Sequence, residues 1–250
     1  MYETRLWISI VIMVVLLLVA VFIGTKFGQK FGKPDANYAV LPTSILGLLA
    51  LLLGFTFSMS VSRFEDRQKL VLSEANAIGT TYLRTDFLPA PHAQNVKSYL
   101  REYVDIRLKL MDDYPTENEA RRIGQETARL QSLIWNETVA AAGVKVTPLS
   151  PSFVSSLNDV IDISAQWDFV LNNTVPEMIY FIIIFVAVFG VFFLGFMNGS
   201  TGTSHRFGIL ALAFLFSLVI ALIQDLDRPR RGTVKVSQSS LVDLKKQISK

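Results

Sequence analysis

The residues whose types and spacing could act on ions lie on one face of the second apolar segment of the chain. With successive helical residues 100° apart, a set of small or weakly polar side chains falls within a sector of about 80°. The set is Thr43, Gly47, Ala50, Gly54, Ser58, Val61 and Glu65, with Phe57 at its edge. Such a face can border a lumen, with an aromatic constriction and a carboxylate at the mouth. A second interpretation stays open, because small residues also let membrane helices pack closely.

A second polar set, Gln224, Asp225, Asp227 and Arg228, ends the last apolar segment. Ionisable groups at membrane depth are costly and usually face protein or water. A separation of three residues on a last helical turn predicts an ion pair between Asp225 and Arg228. The set is interpreted either as an interfacial cap that anchors the helix end or as a cluster that senses ions or protons.

Residue patterns for enzymatic chemistry do not occur. The two histidines, His92 and His205, have no metal-ligand spacing, and H-E-x-x-H, G-x-S-x-G and Walker sequences are missing. The chain has no cysteine, which excludes disulfides and thiolate metal sites. Its basic residues form no motif typical of nucleic-acid binding. We therefore predict a protein that is not an enzyme and that uses no metal, cofactor or nucleic acid.

Four apolar segments must position these residues, each near the roughly 20 residues that a spanning helix requires. They are Leu6–Ile23, Tyr38–Val61, Met178–Met197 and Phe207–Ile223. The first is longer than the apolar part of a secretion signal and no cleavage site follows it, so it is predicted to be a retained anchor.

The distribution of charge predicts the orientation in the membrane. Eight basic residues lie close to the spans on one side and four on the other, and the richer side is normally cytoplasmic. Residues 62–175 contain 12 basic and 15 acidic residues, so the basic excess lies elsewhere, next to lipid head groups. The prediction is a multi-pass protein of the cell (inner) membrane with both termini and the polar middle in the cytoplasm.

The polar middle is predicted to be helical. The expected helices cover Ser62–Leu88, Ala93–Tyr114, residues 116–142 and Phe153–Asn172. Thr116 and Glu119 form the capping-box pair that would open the third of them. After the last span, Thr233–Ser237 alternates like a short strand and Leu241–Ile248 shows a helical stripe.

The fold class that follows is all-α: four transmembrane helices plus a cytoplasmic helical bundle continuous with the second. Residues 1–61 would contain the first two spans, and residues 62–175 the cytoplasmic domain. Residues 176–225 would contain the last two spans, and residues 226–250 a cytoplasmic C-terminal segment.

Two blocks of the sequence resemble the signature regions of the bestrophin-like integral membrane proteins of bacteria, a group largely without assigned function. The blocks read LPTSILGLLALLLGFTFSMSVSRFEDRQKLVLSEANAIGTTYLR and DLDRPRRGTVKVSQSSLVDLK. The resemblance extends over essentially the whole chain. It is more distant to the bestrophins themselves, which are pentameric anion channels lined by their second helix, with a cytoplasmic acidic clasp for calcium.

This resemblance implies a homo-oligomeric ring, pentameric if it follows the bestrophins, with Thr43–Glu65 as the pore helix and with the lipid bilayer and ions as partners. The chain lacks a continuous acidic run like the clasp, since Leu226 separates Asp225 from Asp227, and Glu65 at a pore mouth would favour cations. The first functional hypothesis is thus an oligomeric ion channel. The alternative is a non-conducting membrane scaffold or sensor that acts through its cytoplasmic helical domain.

Overall fold

The computed structural model describes residues 3–33, 40–112, 117–144, 148–202, 206–228 and 234–249. The helices are α1 (Glu3–Phe31), α2 (Val40–Arg84), a 3-10 turn (Thr85–Phe87), α3 (His92–Asp112), α4 (Glu117–Val144), α5 (Ser150–Asn172), α6 (Glu177–Thr201), α7 (Arg206–Asp227) and α8 (Ser239–Ile248). Within these ranges no strand occurs, so the all-α prediction is confirmed.

Four of the helices are long and apolar enough to cross a membrane, as predicted. The candidate spans are Trp7–Phe31, Val40–Phe87, Glu177–Thr201 and Phe207–Asp227. Helix α2 contains both the second apolar segment and the polar residues after it, in 45 residues without a break. It ends in the 3-10 turn before Leu88, whose extended backbone is the conformation favoured by a residue that precedes proline.

Contacts divide the chain into two compact units, and the first consists of Met1–Phe64 and Thr174–Val234. It contains α1, the beginning of α2, α6 and α7. Its core is apolar, with Leu17, Leu49, Ile183, Ala187 and Ala213 among its buried residues. Burial of aliphatic side chains alone specifies no unique alignment of helices, so small residues must set the closest approach.

Helices α1 and α6 make that closest approach through glycines. A Cβ atom added to Gly28 would lie 2.0 Å from the carbonyl oxygen of Phe196, and one added to Gly24 would lie 2.1 Å from that of Phe192. On the facing helix, a Cβ on Gly195 would lie 2.4 Å from the carbonyl oxygen of Val21. At each of these contacts a glycine of one helix lies against the backbone of the other.

The second unit consists of Glu65–Asn173 and Lys235–Lys250. It contains the remainder of α2 together with α3, α4, α5 and α8. Its core includes Ile78, Leu100, Leu130 and Phe153, each fully buried. The predicted stripe of the C-terminal helix is real, because the side chains that α8 buries are Leu241, Leu244 and Ile248.

The predicted strand at Thr233–Ser237 is wrong for the part that the structure describes. Residues 234–238 are irregular, and Thr233 lies outside the described residues. Side chains rather than a neighbouring strand accept from this backbone: the Val234 N–H donates to Asp225 Oδ2 at 3.0 Å and the Ser237 N–H to Gln68 Oε1 at 3.2 Å. Thr116 of the predicted capping pair also lies outside the described residues. The predicted domain boundaries, and the side of the membrane predicted for each domain, stay predictions.

Candidate functional site

The predicted small-residue face of α2 is uncovered within the chain. Seven of its eight members are exposed and Val61 is half-buried. The exposed members are Thr43, Gly47, Ala50, Gly54, Phe57, Ser58 and Glu65. The buried side of the same helix lies about 130° away on a helical wheel, where Leu49, Leu53, Thr56 and Ser60 are all buried. The chain therefore packs α2 through its aliphatic and hydroxyl side and leaves the small side free.

The glycines of this face differ from those that mediate helix packing. A Cβ atom added to Gly47 or Gly54 would meet no described atom within 4 Å. In α6, by contrast, a Cβ on Gly190 would lie 3.1 Å from Leu46 Cδ2 of α2, and Gly195 has the backbone contact described above. Packing inside the chain thus explains the glycines of α1 and α6 but not Gly47 and Gly54.

Two carboxylates lie side by side near the base of the face. Glu65 and Asp66 have 59% and 60% of their side-chain surfaces exposed, and Lys69 Nζ lies 3.8 Å and 3.9 Å from them. Such exposed pairs contribute little to stability. Because consecutive residues point 100° apart, Glu65 continues the small face whereas Asp66 does not.

The polar set at the end of α7 is centred on Asp227. Both of its carboxylate oxygens accept from the Val175 N–H, at 3.0 and 2.9 Å, and Oδ2 also accepts from the Tyr180 hydroxyl at 3.3 Å. Arg63 of α2 donates to Oδ1 at 3.4 Å. Asp227, which is 4% exposed as a residue, therefore connects the end of α7 with the chain that enters α6 and with α2.

The predicted ion pair between Asp225 and Arg228 is wrong. Asp225 is buried and its Oδ2 accepts from the Val234 N–H, while the contact between the two residues runs from the Arg228 N–H to the Asp225 carbonyl at 3.3 Å. Among the described residues of this region, the ion pair joins Asp227 to Arg63. Sequence reasoning missed Arg63 because its partner lies 164 residues away.

A second set that sequence reasoning missed lies inside the second unit. Glu74 is 1% exposed and accepts from Arg107 Nε at 2.5 Å, from Arg107 Nη2 at 3.3 Å and from Trp167 Nε1 at 2.7 Å. The set connects α2, α3 and α5. Burial raises the pKa of the nearby Tyr103 phenol above its ordinary value, an effect that the positive charge of Arg107 opposes. Three hydrogen bonds to one carboxylate indicate that this ion pair has a structural role.

The described histidine is a hydrogen-bonding residue. His92 Nδ1 lies 2.6 Å from Glu137 Oε2, and the Asn95 amide donates to Glu137 Oε1 at 3.0 Å. The bond with His92, helped by Asn95, lowers the pKa of Glu137 below its ordinary value. Among the described residues no group of three or more histidine or acidic side chains could hold a metal ion, and His205 lies outside them.

Comparison with known proteins places these features in a family. The family model described as a bestrophin-like domain matches residues 6–241 of the chain. None of the curated proteins matches.

Similar solved structures come from a bacterial bestrophin homolog of Klebsiella pneumoniae. Two of its single-substitution variants are each 18% identical to this chain and cover 98% of it and 97% of their own length, with TM-scores of 0.71 and 0.72. The structure of the homolog phased with zinc is 20% identical, covers 96% of both chains and has a TM-score of 0.69. At this identity the likeness establishes the fold.

Proposed function

Because this chain belongs to the bestrophin-like family, we propose that it forms an oligomeric ion channel whose pore is lined by the small face of α2. One observation carries the proposal: the face is exposed in a single chain, whereas the glycines that bring helices together lie on α1 and α6. The lining residues are Thr43, Gly47, Ala50, Gly54, Phe57, Ser58, Val61 and Glu65.

The residue types of the face suit three parts of a conducting path. Thr43 and Ser58 supply hydroxyls that can contact an ion, and the glycines leave room for water. Phe57, 38% exposed, is the bulky apolar member and forms the constriction that gates by excluding water. Glu65 sets the charge at one mouth and favours cations.

A conducting path of this kind needs several copies of the chain. One subunit contributes one α2, which cannot enclose a lumen, and closed rings are the common solution for identical subunits. By analogy with the pentameric bestrophins, we expect the ring to contain five subunits. The bias of basic residues supports an orientation in which the termini, Glu65 and the end of α7 lie on the cytoplasmic side of a cell membrane. There Asp227, Asp225, Gln224 and Arg228 stabilise the helix end.

The test is ion flux from proteoliposomes that contain the purified full-length protein, with chloride and potassium compared. Phe57→Ala should raise basal flux severalfold, because it removes the apolar constriction. Glu65→Ala should lower the ratio of potassium to chloride flux by about fivefold, the effect of roughly 1 kcal/mol between partly hydrated charges.

Matched controls exist on the other side of the same helix. Met59 is 38% exposed, like Phe57, but lies about 160° away on the helical wheel, so Met59→Ala should leave flux unchanged. Asp66 has the exposure of Glu65 and the same lysine partner, so Asp66→Ala should leave selectivity unchanged.

Equal effects of a variant and its control would contradict a pore on the small face. Complete absence of flux over a range of pH, voltage and calcium concentration would contradict conduction itself. The non-conducting scaffold or sensor would then be the function to test, by recovery of a stoichiometric cytoplasmic partner from membranes.

A further inference from the structure

Helices α1, α6 and α7 of the first unit border a groove with a volume of about 450 Å³. This volume lies in the range of roughly 300–1,000 Å³ that is typical of small-ligand sites. One part of its lining is polar, with Thr25, Lys26, Gln29 and Asn198, and the other is apolar, with Phe22 and Leu210 among its residues. An amphipathic groove on a spanning helix fits an amphipathic ligand.

The depth of Lys26 matches the level of lipid phosphates. The apolar run Leu6–Ile23 spans about 27 Å at 1.5 Å per residue, close to the roughly 30 Å of bilayer hydrocarbon. Lys26 follows three residues later, so its backbone lies just outside this apolar run. It stacks 5.7 Å from the centroid of the Phe22 ring and forms no salt bridge within the described residues. Its charge is available for an anion from the membrane.

The charge of this end of α1 is the second observation. Lys26 and Lys30 lie one helical turn apart, on the side of the membrane that is predicted to have the fewer basic residues, four against eight. Lysine at such a position needs a reason other than topology. Anionic phospholipid supplies one, because each basic residue near a negatively charged membrane surface adds roughly 1 kcal/mol of attraction.

We propose that this groove binds one anionic phospholipid, with its phosphate at Lys26 and an acyl chain along Phe22 and Leu210. Thr25 and Asn198 lie on the hydrocarbon side of this level, toward the glycerol and ester oxygens, and Gln29 lies one helical turn farther out, toward the rest of the head group. The proposal does not depend on ion conduction.

A second groove of the same unit provides the internal control. It lies on another side of α1, against α6, has a volume of about 270 Å³ and is lined by apolar residues, among them Val19 and Phe189. It can accept hydrocarbon but offers no charge to a head group. Of these two grooves, therefore, only the first can distinguish an anionic from a neutral lipid.

The experiment uses the delipidated full-length protein in detergent and measures lipid binding by native mass spectrometry. Phosphatidylglycerol and phosphatidylcholine with identical acyl chains are compared, and the wild type should bind phosphatidylglycerol more tightly. Lys26→Gln should weaken the binding of phosphatidylglycerol roughly fivefold and leave the binding of phosphatidylcholine unchanged. Lys30→Gln, one turn away and outside the groove lining, should have a smaller effect.

A second pair of variants tests the apolar part of the groove. Leu210 and Val19 are 45% and 48% exposed, so tryptophan at either position should not prevent folding. Leu210→Trp should reduce the binding of both lipids and abolish the preference, whereas Val19→Trp should retain it. Glycerol phosphate, which lacks acyl chains, should not compete.

Three results would overturn the proposal. One is equal binding of the two lipids by the wild type. Another is an equal loss of phosphatidylglycerol binding in Lys26→Gln and Lys30→Gln, which would indicate diffuse surface charge. The third is a change of oligomeric mass in Leu210→Trp with unaltered lipid binding, which would show that a second copy of the chain covers the groove.

Discussion

Single carboxylates connect distant parts of each unit. Asp227 accepts from Val175 and Tyr180, around the start of α6, and from Arg63 of α2. Glu74 has the equivalent role in the second unit, with Arg107 and Trp167 as donors. Removal of such a carboxylate leaves its buried donors unpaired.

We expect Asp227→Ala to lower the free energy of unfolding by about 3 kcal/mol, because it leaves the Arg63 charge and the Val175 N–H without their acceptor. Thermal or denaturant unfolding of the purified protein in detergent measures this loss. Glu177→Ala is the control, since that exposed acid begins α6 and should cost at most about 1 kcal/mol. Similar losses in the two variants would show that Asp227 acts only as a surface charge.

The Glu137 carboxylate predicts a dependence of stability on pH. Its pKa is lower in the folded protein than the ordinary 4.5, so its contribution is fully present above pH 4.5 and is lost as the pH falls through the folded-state pKa. Glu137→Gln should therefore be less stable than the wild type at neutral pH, and the difference should shrink below pH 4.5. A difference that stays constant from pH 7 to acid would contradict this role. Unfolding curves at stepwise pH values supply the measurement.

At the scale of the elements, glycines of the spanning helices serve two structural roles. Spacings of four residues occur at Gly24 and Gly28 of α1 and at Gly195 and Gly199 of α6, and these bring two backbones into contact. The glycines of the α2 face, Gly47 and Gly54, leave their surroundings open. The wheel position of each glycine follows from sequence, but the partner helix does not.

Alanine at one glycine of each kind separates the two roles. Gly28→Ala should lower the free energy of unfolding by about 1–3 kcal/mol, because its Cβ would overlap the Phe196 carbonyl and force α1 from α6. Gly54→Ala should leave stability intact, since its Cβ meets open space, but should change ion flux. Unfolding and flux measured on both proteins test the distinction. A loss of stability in Gly54→Ala equal to that in Gly28→Ala would show that the α2 face is packed.

On the scale of the whole molecule, a single chain exposes much of its apolar surface. Large apolar side chains of α1, α2, α6 and α7 are exposed, among them Phe22, Phe55, Phe181 and Phe214. Lipid or further copies of the chain must cover them, because soluble monomers rarely expose contiguous apolar patches of this extent. The membrane explains most of this surface, and a ring of subunits would explain the weakly polar face of α2.

The oligomer is therefore expected to have a mass that is a multiple of 28.0 kDa, which light scattering in detergent or nanodiscs measures. Gly47→Trp distinguishes a lumen from a contact between subunits. In a lumen the indole should block flux and leave the mass unchanged, whereas in a close contact it should lower the mass. A monomeric wild type would contradict the channel proposal.

The amino-acid sequence by itself determined the four apolar spans, the continuous α2 and the relative positions of residues on each helix. These follow from composition and the 3.6-residue period, which are local properties of a chain. Only the tertiary structure decided that the ion pair at the end of α7 joins Asp227 to Arg63, and not Asp225 to Arg228. It also decided that Gly28 packs against another helix whereas Gly54 faces open space. Those outcomes depend on which helices become neighbours, and a helix carries no local record of the partner that its faces meet.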